Sequence, residues 1–65
     1  MHQDSTGKEI CVGDRVKWRG RNYTIKSFKI ERDPVFGTPL LEFEEPLHLQ
    51  GEEPNETSVD LVPTS

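Results

Sequence analysis

The amino-acid sequence predicts an all-β protein: one small antiparallel barrel of four to five strands with little or no helix. Apolar and polar residues alternate with a two-residue period across residues 14–33, which is typical of half-buried strands. Turns that contain Gly or Pro separate the apolar stretches. Only 31% of the 65 residues are hydrophobic, and a chain of this length buries about 60% of its unfolded surface. The core must therefore use nearly every large side chain.

The first clear strand covers residues 14–19. Val16 and Trp18 point inward, whereas Arg15, Lys17 and Arg19 point outward. Residues 20–22 form a short loop in which glycine or asparagine takes positive φ at low cost. The second strand runs over residues 23–30.

The apolar residues of the second strand do not all fall on one face of a regular strand. Tyr23 and Ile25 share one face, whereas Phe28 and Ile30 share the other, and a regular strand cannot bury both pairs on one side. A bulge near Lys26 resolves the conflict, and bulges bend strands as small barrels require.

The remaining segments follow from their turn residues. Residues 31–38 form a loop, and residues 40–44 form a strand that Pro39 places at a sheet edge or a strand start. Residues 47–56 form a mobile acidic loop. Residues 57–62 form a last strand, or a short turn plus a strand, that closes onto the first hairpin because an isolated hairpin is unstable.

Residues 8–62 are thus predicted to be one domain, between a disordered N-terminus (1–7) and a short tail (63–65). Residues 8–12 alternate weakly and form a possible additional strand. The predicted core consists of Ile10, Val12, Val16, Trp18, Tyr23, Ile25, Phe28, Ile30, Leu41, Phe43, Val59, Leu61 and Val62.

The single cysteine, Cys11, permits no internal disulfide and is expected to be a small buried hydrophobe. A reducing location is the default for such a chain. The N-terminal residues lack the pattern of a signal peptide, and no apolar run is long enough for a membrane span. The sequence therefore predicts a cytoplasmic protein.

Three stretches resemble the Src-homology-3-like (SH3-like) small barrels, in particular the KOW and Tudor-like group. They are Val-Gly-Asp-Arg-Val at 12–16, Gly20 with Tyr-Thr-Ile at 23–25, and Val-Asp-Leu-Val at 59–62. The resemblance covers residues 9–62 and implies a binding module. Similar barrels occur as appended domains of transposases, in ribosome-associated and transcription-elongation proteins, and as small phage or plasmid accessory proteins.

The residues favour a protein that is not an enzyme. The sequence has no recognisable serine, histidine and acid arrangement and no paired cysteine or histidine spacing for a metal. A metal site at His48 would need two carboxylates from Glu45, Glu52 and Glu53, and such a mobile acidic loop is usually just solvated. No catalytic residue, metal or cofactor is predicted.

The net charge of −4 hides a split between the two halves of the chain. Residues 1–30 carry a net charge of +4, and residues 31–65 carry −8. A two-signed surface of this kind favours protein partners or self-association over nucleic acid.

The predicted contact surface for a protein partner combines the cations of the first hairpin with two apolar loop residues. It consists of Arg15, Lys17, Arg19, Arg21, Lys26, Lys29, Val35 and Phe36. For Phe36, exposure and folding over the barrel end as a lid are both open.

Other uses of these charges remain open. The cations form a basic face suited to nucleic acid, or they pair across strands with Glu42, Glu44 and Asp60. A homodimer through open strand edges is a further alternative. The second half alternatively mimics nucleic-acid phosphates with six carboxylates: Glu42, Glu44, Glu45, Glu52, Glu53 and Glu56.

Overall fold

The computed structural model describes residues 2–63. Met1, in the predicted disordered N-terminus, and residues 64–65, in the predicted tail, lie outside the described residues. The elements in chain order are β1 (Arg15–Trp18), β2 (Arg21–Arg32), β3 (Pro39–Phe43), a 3₁₀ turn (Glu56–Ser58) and β4 (Asp60–Leu61). The strands pair antiparallel in one sheet of order β3-β2-β1-β4. The all-β prediction, with four strands and little helix, is confirmed.

The hairpin between β1 and β2 turns over two residues. Trp18 pairs directly with Arg21, so Arg19 and Gly20 alone form the turn, with φ of 53° and 83°. A two-residue turn with positive φ at both positions matches the twist of the flanking strands. The loop predicted at 20–22 is therefore shorter and begins one residue earlier.

The bulge predicted near Lys26 is confirmed. Ile25 pairs with Phe43 and Ser27 pairs with Glu42, so β2 advances two residues while β3 advances one. Lys26 is the extra residue. It changes the parity of β2 and allows side chains before and after it to face the same core.

A second irregularity follows along the same strands. Phe28 pairs with Leu41 and Arg32 with Pro39, so β2 advances four residues while β3 advances two. Phe28 is half-buried against the core, whereas Ile30 is fully exposed. The predicted burial of Ile30 is wrong, because β2 has left the core at this second irregularity.

The C-terminal segment bonds to both outer strands of the β3-β2-β1 sheet. The amide of Leu41 in β3 donates to the carbonyl of Pro54 at 2.8 Å, and Leu40 forms a bridge with Asn55. A few residues later, β4 pairs with β1. Closure of the last segment onto the first hairpin, as a short turn plus a strand, is confirmed, and Pro39 does lie at the start of a strand.

The core is small and built around aromatic rings. The ring of Trp18 lies 5.9 Å from that of Tyr23 and 6.3 Å from that of Phe43, measured between centroids. Leu40 is also buried, which the alternation of β3 did not predict. The buried cluster consists of Ile10, Val16, Trp18, Tyr23, Ile25, Leu41, Phe43 and Val59, with Phe28 and Leu61 packed against it.

The N-terminal segment, predicted to be disordered over residues 1–7, contacts the sheet through Asp4. Asp4 is 5% exposed; one oxygen of its carboxylate accepts from the amides of Thr6 and Lys8, and the other accepts from Leu61 N at 2.7 Å. Burial opposes ionisation, but these hydrogen bonds outweigh it and hold the pKa of Asp4 below its usual value of 3.8. This one carboxylate ties residues 4–8 to β4.

Residues 8–12 do not form the possible additional strand, apart from a single bridge between Gln3 and Glu9. Cys11 and Val12 are exposed, so both predictions of burial are wrong. The cause is local, because residues 11–14 form a turn in which the Asp14 carboxylate accepts from the Cys11 amide at 2.8 Å. The turn carries both side chains away from the core.

Replacing Gly20 by alanine is expected to lower the free energy of unfolding by about 1–2 kcal/mol, the usual cost of a left-handed residue with a Cβ. Nothing lies within 4 Å of a Cβ added at this position, so the effect is purely conformational. Denaturant unfolding of Gly20→Ala measures it. As a control, Arg19→Gly relieves the same kind of strain but loosens the unfolded chain and removes the ion pair with Glu52. These effects largely cancel, so stability is expected to stay nearly unchanged; equal losses in both variants would contradict the two-residue turn.

Asp4→Asn is expected to lower the free energy of unfolding by about 1–3 kcal/mol at neutral pH, because the backbone amides of Thr6, Lys8 and Leu61 lose a charged acceptor. The folded pKa lies below the unfolded one, so this stabilisation is complete above about pH 5 and disappears as the pH falls through the folded pKa. Unfolding at several pH values compares the two proteins, with the exposed-site variant Glu9→Gln as control. A difference that does not shrink in acid would contradict the role of the Asp4 carboxylate.

Candidate interaction surface

The turn between β2 and β3 holds two exposed apolar side chains on an anchored backbone. Val35 is 81% exposed and Phe36 is 66% exposed. One carboxylate oxygen of Asp33 accepts from the amides of Val35 and Phe36 at 2.8 and 3.0 Å. The Asp33 backbone closes the same turn through Thr38 and Gly37. The alternatives for Phe36 are thus decided: it is exposed and is not folded over the core as a lid.

The same carboxylate connects this turn to the rest of the protein. Its other oxygen accepts from the side-chain amide of Asn55 at 3.0 Å, and Asn55 is only 4% exposed. The amides of Phe36 and Val35 hold the pKa of Asp33 below its usual range. The turn is therefore fixed at its base, while its apolar side chains remain in solvent. We call Ile30, Val35 and Phe36, the exposed apolar residues of residues 28–38, the apolar tip.

Sequence reasoning placed Val35 and Phe36 in the contact surface but missed what Asp33 does. The signal was present, because an aspartate before proline commonly accepts from the backbone amide two residues later. Ile30 was missed as a surface residue because the second irregularity of β2 leaves no mark in the alternation.

The predicted cations do not form one stripe. Arg15 and Lys17 are exposed on β1 and alternate with its buried residues, so they share the outer face of the sheet. Arg21 lies directly opposite Trp18, and directly opposed residues in antiparallel strands project from the same face. Arg21 therefore belongs to the other face, at the end of the hairpin, and Lys26 lies exposed in the bulge.

The two other cations face the acidic loop. Arg19 lies 3.7 Å from the Glu52 carboxylate, and Lys29 lies 3.9 Å from that of Glu53. Within residues 2–63, no cation forms an ion pair with Glu42, Glu44 or Asp60, the partners predicted for self-pairing. His2 forms a hydrogen bond with Glu56.

The acidic loop, predicted to be mobile over residues 47–56, is attached to the core through His48. The Tyr23 hydroxyl forms a hydrogen bond with the His48 ring and accepts from the His48 backbone amide at 3.2 Å. The two rings also stack, with centroids 6.0 Å apart. In the part of the chain that the structure describes, no group of three His, Cys, Asp or Glu side chains is arranged to hold a metal ion.

The six carboxylates proposed to mimic nucleic acid have different environments. Glu56 is buried, and its carboxylate forms a hydrogen bond with the His2 ring. Glu45 accepts from the Thr24 amide at 2.7 Å, and this hydrogen bond, together with smaller contributions that include the charge of Arg15, lowers the pKa of Glu45. Glu42 accepts from the Ser27 hydroxyl, and Glu52 and Glu53 lie beside Arg19 and Lys29. Five members of the set are therefore engaged within the protein, so the free acidic surface is smaller than the sequence predicted.

Comparisons of the chain with protein-family models, curated proteins and solved structures gave no match. The fold and its surfaces are thus the observations from which a function can be proposed. Among the described residues, no helix has the length and apolar character needed to cross a membrane.

Proposed function

We propose that this protein is a non-enzymatic interaction module that binds a protein partner through the apolar tip. The observation that carries the proposal is the contrast between backbone and side chain at Val35 and Phe36. Their amides are fixed by the Asp33 carboxylate, yet the two residues are 81% and 66% exposed. An exposed aromatic residue that is already held in place loses little entropy on binding, which is typical of interface anchors.

The SH3-like fold belongs to the same proposal. It is supported by the bent β2, which pairs with β1 in its first half and with β3 in its second. The return of residues 54–61 to both outer strands also supports it. A closed small barrel provides a rigid base from which loops contact partners.

The charges near the apolar tip indicate the chemistry of the partner surface. Glu31 and Arg32 are exposed neighbours in β2 that form no ion pair within residues 2–63, and Arg32 donates to the carbonyl of Gly37 in the turn. Asp33 is a further nearby acid, already engaged by the turn and by Asn55. A partner with an apolar pocket and a rim that carries both charges complements this arrangement.

The double substitution Val35→Ser with Phe36→Ser is expected to abolish capture of the partner, because it removes the exposed apolar surface and keeps the Asp33 turn. The measurement is affinity capture from nuclease-treated lysate of the source cells, followed by titration of the purified partner. Binding is expected to weaken at least tenfold, which corresponds to about 1.4 kcal/mol.

Val12→Ser is the matched control, because Val12 is an exposed valine, 59% exposed, outside the apolar tip. It is expected to bind as the unmodified protein does. If the control loses the partner as well, or if the double variant retains it, the partner does not bind the apolar tip.

Nucleic-acid binding is the second candidate, favoured by Arg15 and Lys17, which share one face and form no ion pair within residues 2–63. It predicts oligonucleotide-induced shifts in the amides of residues 15–29 that fall steeply with salt. If these shifts appear and the Val35 and Phe36 variant leaves them unchanged, the cationic face rather than the apolar tip is the functional surface.

A further inference from the structure

A cleft of about 260 Å³ lies between β3 and the acidic loop, on a part of the protein that the proposed function does not use. Its apolar lining includes Leu41, Phe43, Leu47 and Pro54. Leu41, Phe43 and Pro54 are buried, whereas Leu47 remains 36% exposed. The cleft therefore has a firm apolar floor and one accessible apolar wall.

The rim of the cleft is strongly acidic. Glu42, Glu45, Glu52 and Glu53 line it together with one cation, Lys29, which leaves a net charge of −3. Acidic groups around an apolar floor favour a ligand that has both an aliphatic stem and a positive end. Lysine and arginine side chains combine these two features.

The protein's own Lys29 shows that the cleft accepts such a side chain. Lys29 lines the cleft, its side chain is 35% exposed, and its ammonium nitrogen lies 3.9 Å from the Glu53 carboxylate. Glu52 is likewise only 3.7 Å from the exposed guanidinium of Arg19. Exposed ion pairs of this kind contribute about 0–1 kcal/mol, so a ligand cation can replace either of them.

We infer that this cleft binds a lysine or arginine side chain from an extended basic peptide segment of a partner, in competition with Lys29. The aliphatic stem of the incoming residue packs against Leu47 and Phe43. Its charged end contacts Glu52 and Glu53. Lys29 acts as an intramolecular competitor that keeps the affinity low.

Because Lys29 competes with the ligand for the cleft, removing its charge is expected to strengthen binding. Lys29→Met is expected to tighten binding about twofold to fivefold, the range of one exposed ion pair. Lys26→Met is the matched control, because it removes an exposed lysine of the same strand that does not line the cleft. The double variant Glu52→Gln with Glu53→Gln is expected to weaken binding about fivefold or more.

The probe is the capped peptide acetyl-Leu-Lys-Leu-Lys-Leu-amide, titrated into ¹⁵N-labelled full-length protein and followed by NMR. Residues 41–47 and 52–54 are expected to shift, and the same peptide with acetylated lysines is expected to leave them unchanged. Equal tightening by Lys29→Met and Lys26→Met would show a general charge effect and overturn the inference.

The inference is also overturned if Mg²⁺ alone produces the same shifts as the peptide, or if the shifts lie outside the cleft. The test is independent of the apolar tip, because none of its variants changes Ile30, Val35 or Phe36. A negative result for the cleft therefore does not affect the proposal that the apolar tip binds a partner, and a negative result for the apolar tip does not affect the cleft.

Discussion

The structure depends on one extra residue in β2, Lys26, which changes the parity of the longest strand. Before it, Tyr23 pairs with β1 and Ile25 pairs with β3, and both face the core; after it, Phe28 packs on the same core through pairing with β3. Without this change, a chain with so few apolar residues would leave one half of β2 without contacts to the core. A bulge also bends the strand, so the single sheet can surround its own core.

β2 also places the exposed apolar residues of the apolar tip away from the core. Beyond Phe28 the ladder is irregular a second time, and Ile30 is fully exposed. The turn that follows is fixed by the Asp33 carboxylate, which also bonds to the buried Asn55. The apolar tip is thus part of the hydrogen-bonded framework of the protein, and its side chains are presented at a defined position. The charge split along the sequence is partly mixed in space, because Arg19 and Lys29 lie beside Glu52 and Glu53 and the charge of Arg15 acts on Glu45.

The alternation of residues 16–25 predicted the first hairpin and most of the core, because side chains of a strand alternate strictly between two faces. The parity conflict at Tyr23 and Phe28 even located the bulge. The errors have a different origin. Cys11 and Val12 are carried outward by a turn, and Ile30 by the second irregularity. The Asp4 and Asp33 carboxylates act by accepting hydrogen bonds from backbone amides. The pattern of polar and apolar side chains in the sequence does not show which amides they reach. The position of each cation depends on register, which explains why Arg21 was wrongly grouped with Arg15 and Lys17.

The most direct test is the register of β2 against β3, measured by nuclear Overhauser effects between backbone protons of isotopically labelled protein in solution. The structure predicts cross-strand contacts that join Ile25 to Phe43 and Ser27 to Glu42, with Lys26 between them and unpaired. An uninterrupted ladder, in which Lys26 pairs with Glu42 and Ser27 with Leu41, would contradict the bulge on which both the core and the apolar tip depend.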